Sequence, residues 1–297
     1  MAALPRRFTT SALLTALACA GSWIASAIAA TPVPLAPSSG ATVQRIDDYA
    51  AACEAARQSA AMLLVSVEPR SADADDVAGR HLERADVHRR FAADGTPWVF
   101  CRVGLDDGGA ALVADPGLAE MRRGPGIFVV DHAHADYAGR IVSILPRSPG
   151  KYYRFDPAHI DALAALPAAS LTQRSLILAV RIHPEGPRST EGTCDAALCS
   201  EAAAHSAHQA RIRRQGHHGW DARSQRITGG MGAGSASEVC AESWPDQDLL
   251  DSCVDCVASW RQSAGHWNAV RSPQAAYGYD LRRGANGIWY ATGIFLR

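Results

Sequence analysis

Lysine is almost missing from this chain. Lys151 is the only one in 297 residues, so positive charge rests on arginine, and Lys and Arg together number 29 against 30 Asp and Glu. A net charge of −1 with no basic block excludes the electrostatic footprint of a nucleic-acid binder. Beyond residue 30 no apolar run reaches the roughly 18 residues that a spanning helix needs, so no transmembrane segment is expected there. No internal repeat spans the chain. The length favours two domains of roughly 120 to 140 residues each, and either could bury a core of its own.

What is present begins with an export signal. Arg6 and Arg7 precede an apolar run from Ser11 to Ile24, and the small-residue sequence ASAIAA sets Ala27, Ala29 and Ala30 for cleavage. Residues 1–30 therefore read as a secretory signal peptide cleaved near Ala30, and the expected location is periplasmic or secreted. A lipoprotein attachment at Cys19 is the alternative, although Ala16 stands where a lipobox prefers leucine and the apolar run continues past Cys19. Residues 31–40, TPVPLAPSSG, read as a linker. Removal of the signal leaves Cys53, Cys101, Cys194, Cys199, Cys240, Cys253 and Cys256. In an oxidising compartment that odd number leaves at least one without a partner in the chain.

Between residues 41 and 168 the hydrophobic period alternates. The spacing predicts a helix over Ile46–Gln58, a strand over 61–69, a charged amphipathic helix over Asp75–Ala93 and a strand over 97–105. A short helix near Leu118, strands at 126–131 and 138–145, and a helix from Asp156 follow. The order αβαβαββα resembles the thioredoxin-like fold. Two local features strengthen the resemblance: Gly124-Pro125-Gly126 stands just before the third strand, where that family keeps a cis-proline, and a hairpin comes after it. The family's redox chemistry needs Cys-x-x-Cys on the turn into the helix after the first long strand, where the helix dipole acidifies the thiol. That turn reads PRSADADD here, so this domain is expected to be redox-inactive, a packing or binding module. Cys101 and Cys53 read as structural thiols, and His132 and His134 in DHAHAD as a solvated turn.

A seam near residues 165–175 opens the second domain, 172–297. An alanine-rich helix is expected over Asp195–Gln215, with Leu198, Ala202, His205 and Ile212 on one face and Gly216 ending it. A second helix is expected after Asp246, its proposed N-cap, with Leu249, Leu250, Cys253, Val254, Val257 and Trp260 buried. Gly265 suits a left-handed cap that would throw His266 clear of that helix. Asn286-Gly287 marks a tight hairpin turn into a last strand with two apolar faces, as in the interior of a sandwich. His205 and His208 read as a helix flank. Cys253-x-x-Cys256 lies mid-helix, away from an N-terminal dipole, so a bridge from one of the two to Cys240 is expected rather than a reactive pair. Cys194 and Cys199 either bridge each other or clamp the loop HPEGPRSTEGTC.

The runs AAAHSAHQARIRRQGHHGWDAR, SEVCAESWP, SWRQSAGHW and YGYDLRRGANGIWYATGIF, in that order, resemble the bacterial form of the CAP superfamily of cysteine-rich secretory and pathogenesis-related proteins. The resemblance covers Ser175 to Arg297. It implies an α-β-α sandwich whose cleft holds a divalent metal on two histidines and acidic residues. Position by position, the first cleft histidine falls at His217 or His218, the glutamate of the Gly-Glu-Asn segment at Glu238, and the Gly-His histidine at His266. Ser263 occupies the place of a second glutamate found in eukaryotic members, for which Glu242 is the nearest substitute. An asparagine common in the first helix is absent from LILAVRIHPEGP.

The fold class expected is thus α/β and α+β, a thioredoxin-like domain followed by a CAP-like sandwich. Two imidazoles and a carboxylate could bind Zn²⁺ and leave a position for water. Two functions follow: an exported, non-enzymatic binding protein for a small ligand, lipid, cell-wall fragment or protein, or a metal-dependent hydrolase with Glu238 as general base. The first is favoured, because one acidic position is missing and no activated nucleophile accompanies the histidines.

Overall fold

A computed structural model describes residues 43–69, 76–122, 124–148, 150–231 and 234–297, all within one compact unit. The expected signal peptide and linker, Cys19 and most of the PRSADADD turn lie outside the described residues. The architecture is mixed α and β, built on two mixed sheets.

The first sheet is assembled from β1 (Val43–Arg45), α1 (Tyr49–Gln58), β2 (Met62–Glu68), α2 (Val77–Leu82), α3 (Ala85–Phe91), β3 (Trp98–Gly104), α4 (Ala110–Val113), a 3-10 turn over Pro116–Arg122, β4 (Ile127–Asp131), β5 (Arg140–Leu145) and α5 (Pro157–Ala164). Its strand order is β1-β3-β2-β4-β5, with β1, β3 and β2 parallel and β4 and β5 antiparallel. Both faces of β2 are buried, which is why its sequence MLLVSVE is almost continuously apolar. The expected start of the first helix at Ile46 moves to Tyr49. The Asp48 carboxylate accepts from Ala51 N at 2.7 Å and caps the helix there, and Val43–Arg45 becomes an edge strand that periodicity did not reveal.

The helix expected over Asp75–Ala93 is two helices. Ala78 and Leu82 share a buried face, as do Val87 and Phe91, but the five-residue step from Leu82 to Val87 is out of phase with a 3.6-residue turn. An extended Arg84 resets the phase, and the His88 ring takes the Leu82 carbonyl at 2.7 Å. Phe91 then meets Trp98 and Phe100 edge to face, at centroid distances of 4.8 and 5.1 Å. No cis peptide occurs among the described residues, so Pro125 is trans and the expected cis-proline is not there. His132 and His134 sit in a turn tied by Asp131, whose carboxylate accepts from Ala133 N and His134 N at 2.9 Å. His132 Nε2 is buried without a partner, so that turn is less solvated than expected.

The second sheet is assembled from α6 (Leu171–Arg181), β6 (Thr193–Cys194), α7 (Ala196–Ile212), α8 (Trp220–Met231), β7 (Ala236–Glu242), α9 (Leu249–Gln262), α10 (Ala264–Arg271), β8 (Ala276–Arg283) and β9 (Trp289–Leu296). Its order is β6-β8-β9-β7. The last strand is central and buried from Tyr290 to Leu296, as its two apolar faces required. Helix α7 packs on β8 and β9, while α6 packs on α9 and β8. Close approach of α7 needs Gly278: a Cβ there would lie 2.3 Å from the Leu198 carbonyl carbon. Helix α7 ends earlier than Gly216, at a left-handed Arg213 with φ of 54°. Asp246, the expected N-cap of α9, is instead left-handed with φ of 57°, and the helix begins after Asp248. In the β8–β9 connection only Gly287 takes positive φ, and Gly284 N bonds Ile288 O at 2.7 Å, so the loop is longer than the two-residue turn expected.

The two sheets are joined by polar contacts that no local pattern contains. Arg174 on α6, 2 % exposed, donates from Nε to Ser143 Oγ on β5 at 2.7 Å, and from Nη1 to the carbonyls of Leu166 and Pro167 at 3.2 and 2.7 Å. Burial pushes its pKa down to about 10. The N-terminus of α9 is capped from the first half: Glu120 accepts from Leu249 N at 2.6 Å and Leu250 N at 3.2 Å. Lys151, the single lysine, pairs with Asp255 of α9.

Arg174→Ala leaves the Ser143 hydroxyl and two carbonyls unpaired around a new cavity, and should lower unfolding free energy by about 3 kcal/mol in urea denaturation. An unchanged midpoint would contradict that role. Burial raises Glu120 from 4.5 to about 7, against the backbone hydrogen bonds that favour its charged form. Between those values the folded chain binds more protons than the unfolded chain, so this group makes stability fall as pH rises through the window. Denaturation at its two ends should show the fall, and Glu120→Gln should flatten it.

Candidate functional site

Helix α9 stops at Gln262 because Ser263 is extended, with φ −105° and ψ 117°. Ser263 then serves as the N-cap of α10, and its carbonyl accepts from Trp267 N at 2.8 Å. The expectation of a left-handed Gly265 followed by a free His266 is therefore corrected: Gly265 is the second residue of α10, outside the positive-φ glycines, and His266 is the third. Buried Trp267 and Val270 hold this short helix in place. His266 is aimed by a helix rather than by a glycine cap.

It is aimed at His217. The two Nε2 atoms lie 3.3 Å apart, and the rings are tilted at 50° with centroids 5.5 Å apart. His217 sits in the loop between α7 and α8, its side chain 43 % exposed. Its Nδ1 lies 2.9 Å from Glu238 Oε1. A carboxylate can only accept, so Nδ1 carries the proton and the Nε2 lone pair of neutral His217 faces His266.

Glu238, on β7, is the pivot. Its side chain is 1 % exposed and its Oε2 accepts from Arg223 of α8, at 2.9 Å from Nε and also from Nη2. Burial alone would raise its pKa. The His217 hydrogen bond and the charges of His205 and Arg223 outweigh it and hold the carboxyl below its ordinary range. Burial, then the nearby His217, push His266 below the ordinary histidine value, so it is neutral near neutral pH.

Of the two alternatives, the structure brings His217, and not His218, to His266. His218 turns away to a separate cluster, its ring 6.3 Å from that of His205 and 5.7 Å from that of His208. Its Nε2 is buried without a partner. His205, expected on the packing face of α7 and, with His208, as its flank, is buried, and its Nε2 donates to the Gly216 carbonyl at 2.8 Å, which pins the loop that carries His217. Its place on the stripe of Leu198 and Ala202 was the available signal. Arg223, at the end of the run GWDAR, was missed altogether, because its partner is 15 residues away on another element.

His205, Glu238 and Cys240 bring their ligand-type atoms within 4.8 Å of one another, all buried. That group is consumed by its own bonds. Glu238 serves Arg223 and His217, His205 serves Gly216, and burial raises the Cys240 thiol so that it stays protonated. Cys240 Sγ lies 3.7 Å from His217 Nδ1. Glu242 is exposed at the far end of β7 and among the described residues meets neither histidine of the pair.

All seven cysteines from Cys53 to Cys256 are free thiols here, and no two sulfurs are at bonding distance. The expected bridge from Cys240 to Cys253 or Cys256 is not formed: both helix cysteines are fully buried in the core with Trp260 and Val257. The nearest pair is Cys194 and Cys199, whose sulfurs lie 3.5 Å apart.

Glu238→Gln strips Arg223, 8 % exposed, of its counter-charge and should cost about 3 kcal/mol of stability. In a denaturation double-mutant cycle, adding Arg223→Gln should recover part of that loss. Strict additivity would contradict the coupling. No protein-family model matches this chain, and no curated protein matches it.

Proposed function

We propose that the chain is an exported binding protein of CAP type whose cleft takes a divalent cation, with Zn²⁺ as the fitting ion, on His217 and His266. The observation that carries this reading is the 3.3 Å separation of the two Nε2 atoms. Two nitrogens sharing one tetrahedral zinc at about 2.0–2.1 Å must stand about 3.3–3.4 Å apart. Glu238 supports it from behind: a carboxylate on Nδ1 fixes the ring, leaves Nε2 as the donor and raises its basicity. The set departs from the expected two imidazoles and a carboxylate. Glu238 orients a ligand rather than being one, and His218 stands outside. Water, or an oxygen of the bound ligand, would complete the coordination.

This arrangement favours binding over hydrolysis. Glu238, the base that a hydrolase would need, is buried and has both oxygens engaged, so it has no reach to a water in the cleft. The layering of α7 against one face of β8 and β9, with α6 and α9 elsewhere on the second sheet, supports the CAP-like sandwich. The strand order β1-β3-β2-β4-β5, with β4 alone running against the others, supports a thioredoxin-like first half, while trans Pro125 removes one of its two local supports. Because Arg174 and Glu120 tie the halves together, the first half acts as a fixed platform for the second.

Calorimetric titration of purified chain with Zn²⁺ should give one site. His217→Ala and His266→Ala should each weaken it by roughly a hundredfold, and His218→Ala should leave it unchanged. Absence of a site, or equal loss in His218→Ala, would overturn the reading.

A further inference from the structure

The cysteine pair at the start of α7 is not used by the histidine site. Cys194 ends β6, the two-residue edge strand of the second sheet, where it pairs in register with Tyr277 of β8. Cys199 lies in the first turns of α7, whose N-terminus Asp195 caps by accepting from Leu198 N at 2.9 Å. A sheet edge and a helix start therefore deliver the sulfurs to 3.5 Å, with Cys199 7 % exposed and Cys194 half-buried at the sheet edge. Closing to the bond length of about 2.0 Å needs a shift of roughly 1.5 Å, within reach of a short edge strand that follows a long loop.

The surroundings of the two sulfurs differ. The Cys194 and Cys199 thiols lie at hydrogen-bond distance, where either can donate, and the Arg181 guanidinium, 3.3 Å from the Tyr277 hydroxyl, adds its charge on the Cys194 side. These outweigh burial and draw the Cys194 thiol below its ordinary pKa, the Cys199 bond most of all. Cys199 goes the other way, raised by its contact with Cys194 and by burial. The thiols of Cys101, Cys240, Cys253 and Cys256 are all raised by burial. Half-buried Cys194 is the sulfur that a co-reactant reaches first, and the more deeply buried Cys199 stands 3.5 Å behind it to resolve.

We propose that Cys194 and Cys199 form a thiol–disulfide exchange site, with Cys194 as the attacking sulfur, Cys199 as the resolving sulfur, and a small-molecule disulfide as the oxidising co-reactant. The Cys194 thiolate attacks one sulfur of the co-reactant disulfide. A mixed disulfide forms as the co-reactant S–S bond breaks, and one thiolate leaves and is protonated by water. Cys199 gives its proton to solvent and attacks Cys194 Sγ. The Cys194–Cys199 bond forms and the second thiolate leaves. Two protein thiols lose two electrons in total, and one disulfide becomes two thiols. This site is independent of the histidine pair, and either can fail alone.

The test uses reduced full chain, glutathione disulfide as the probe, acid quenching, alkylation and peptide mass spectrometry. The proposal expects a 194–199 bond that excess reduced glutathione reopens in the folded protein. Cys199→Ser should accumulate one mixed disulfide on Cys194, whereas Cys194→Ser should modify Cys199 roughly tenfold or more slowly. Zinc affinity should be the same in both variants as in the natural chain. A bond that glutathione reopens only after unfolding would make the pair a structural staple and overturn the proposal. So would the absence of any 194–199 bond, or a Cys199→Ser chain that gains no adduct on Cys194.

Discussion

The buried carboxylate of Glu238 is the constraint on which the candidate site depends. Burying a charge costs several kcal/mol unless partners replace the lost water. Here Arg223 supplies the counter-charge and His217 supplies the remaining donor. The carboxylate stays ionised, and that fixes the tautomer of His217. Three elements, β7, α8 and the loop after α7, are located by a single side chain. The fourth, α10, is placed by hydrophobic burial of Trp267 and Val270, and it brings His266 to meet a lone pair already aimed.

The same logic of a polar group buried with its partners recurs where the two sheets meet. Arg174 reaches across to Ser143 and two carbonyls without a carboxylate in direct contact, and Glu120 caps a helix of the other half. Such contacts cost desolvation but are directional, so they set how the halves sit as apolar burial alone does not. The histidine site and the cysteine pair both lie in the second half, on opposite flanks of its sheet: His217 near the β7 edge, Cys194 on the β6 edge.

Much of this was legible in the sequence, and the reasons for the rest are physical. Apolar runs marked β2 and β3 as strands, two apolar faces marked β9 as an interior strand, and the stripe from Leu249 to Trp260 marked α9. Glu238 and His266 were singled out only through the resemblance to the CAP superfamily. The separation of His217 from His218 was not legible, because it depends on a left-handed Arg213 and on His205 holding Gly216, both of which are loop geometry. Gly265 misled because glycine is tolerated in an exposed first turn as well as in a cap. The break near Glu83 and Arg84 was hidden in a run of charges and needed the phase of the core to reveal it. Arg223, Arg174 and Glu120 find their partners 15, 31 and about 130 residues away, beyond the reach of any periodicity.

X-ray absorption at the zinc edge of the loaded protein addresses the central claim most directly, because it separates nitrogen from sulfur neighbours. The account predicts two imidazole nitrogens at about 2.0–2.1 Å, with oxygen completing the sphere and no sulfur. A sulfur neighbour at about 2.3 Å would place the ion on Cys240 beside His205, and would contradict a cleft built from His217 and His266 with Glu238 behind them.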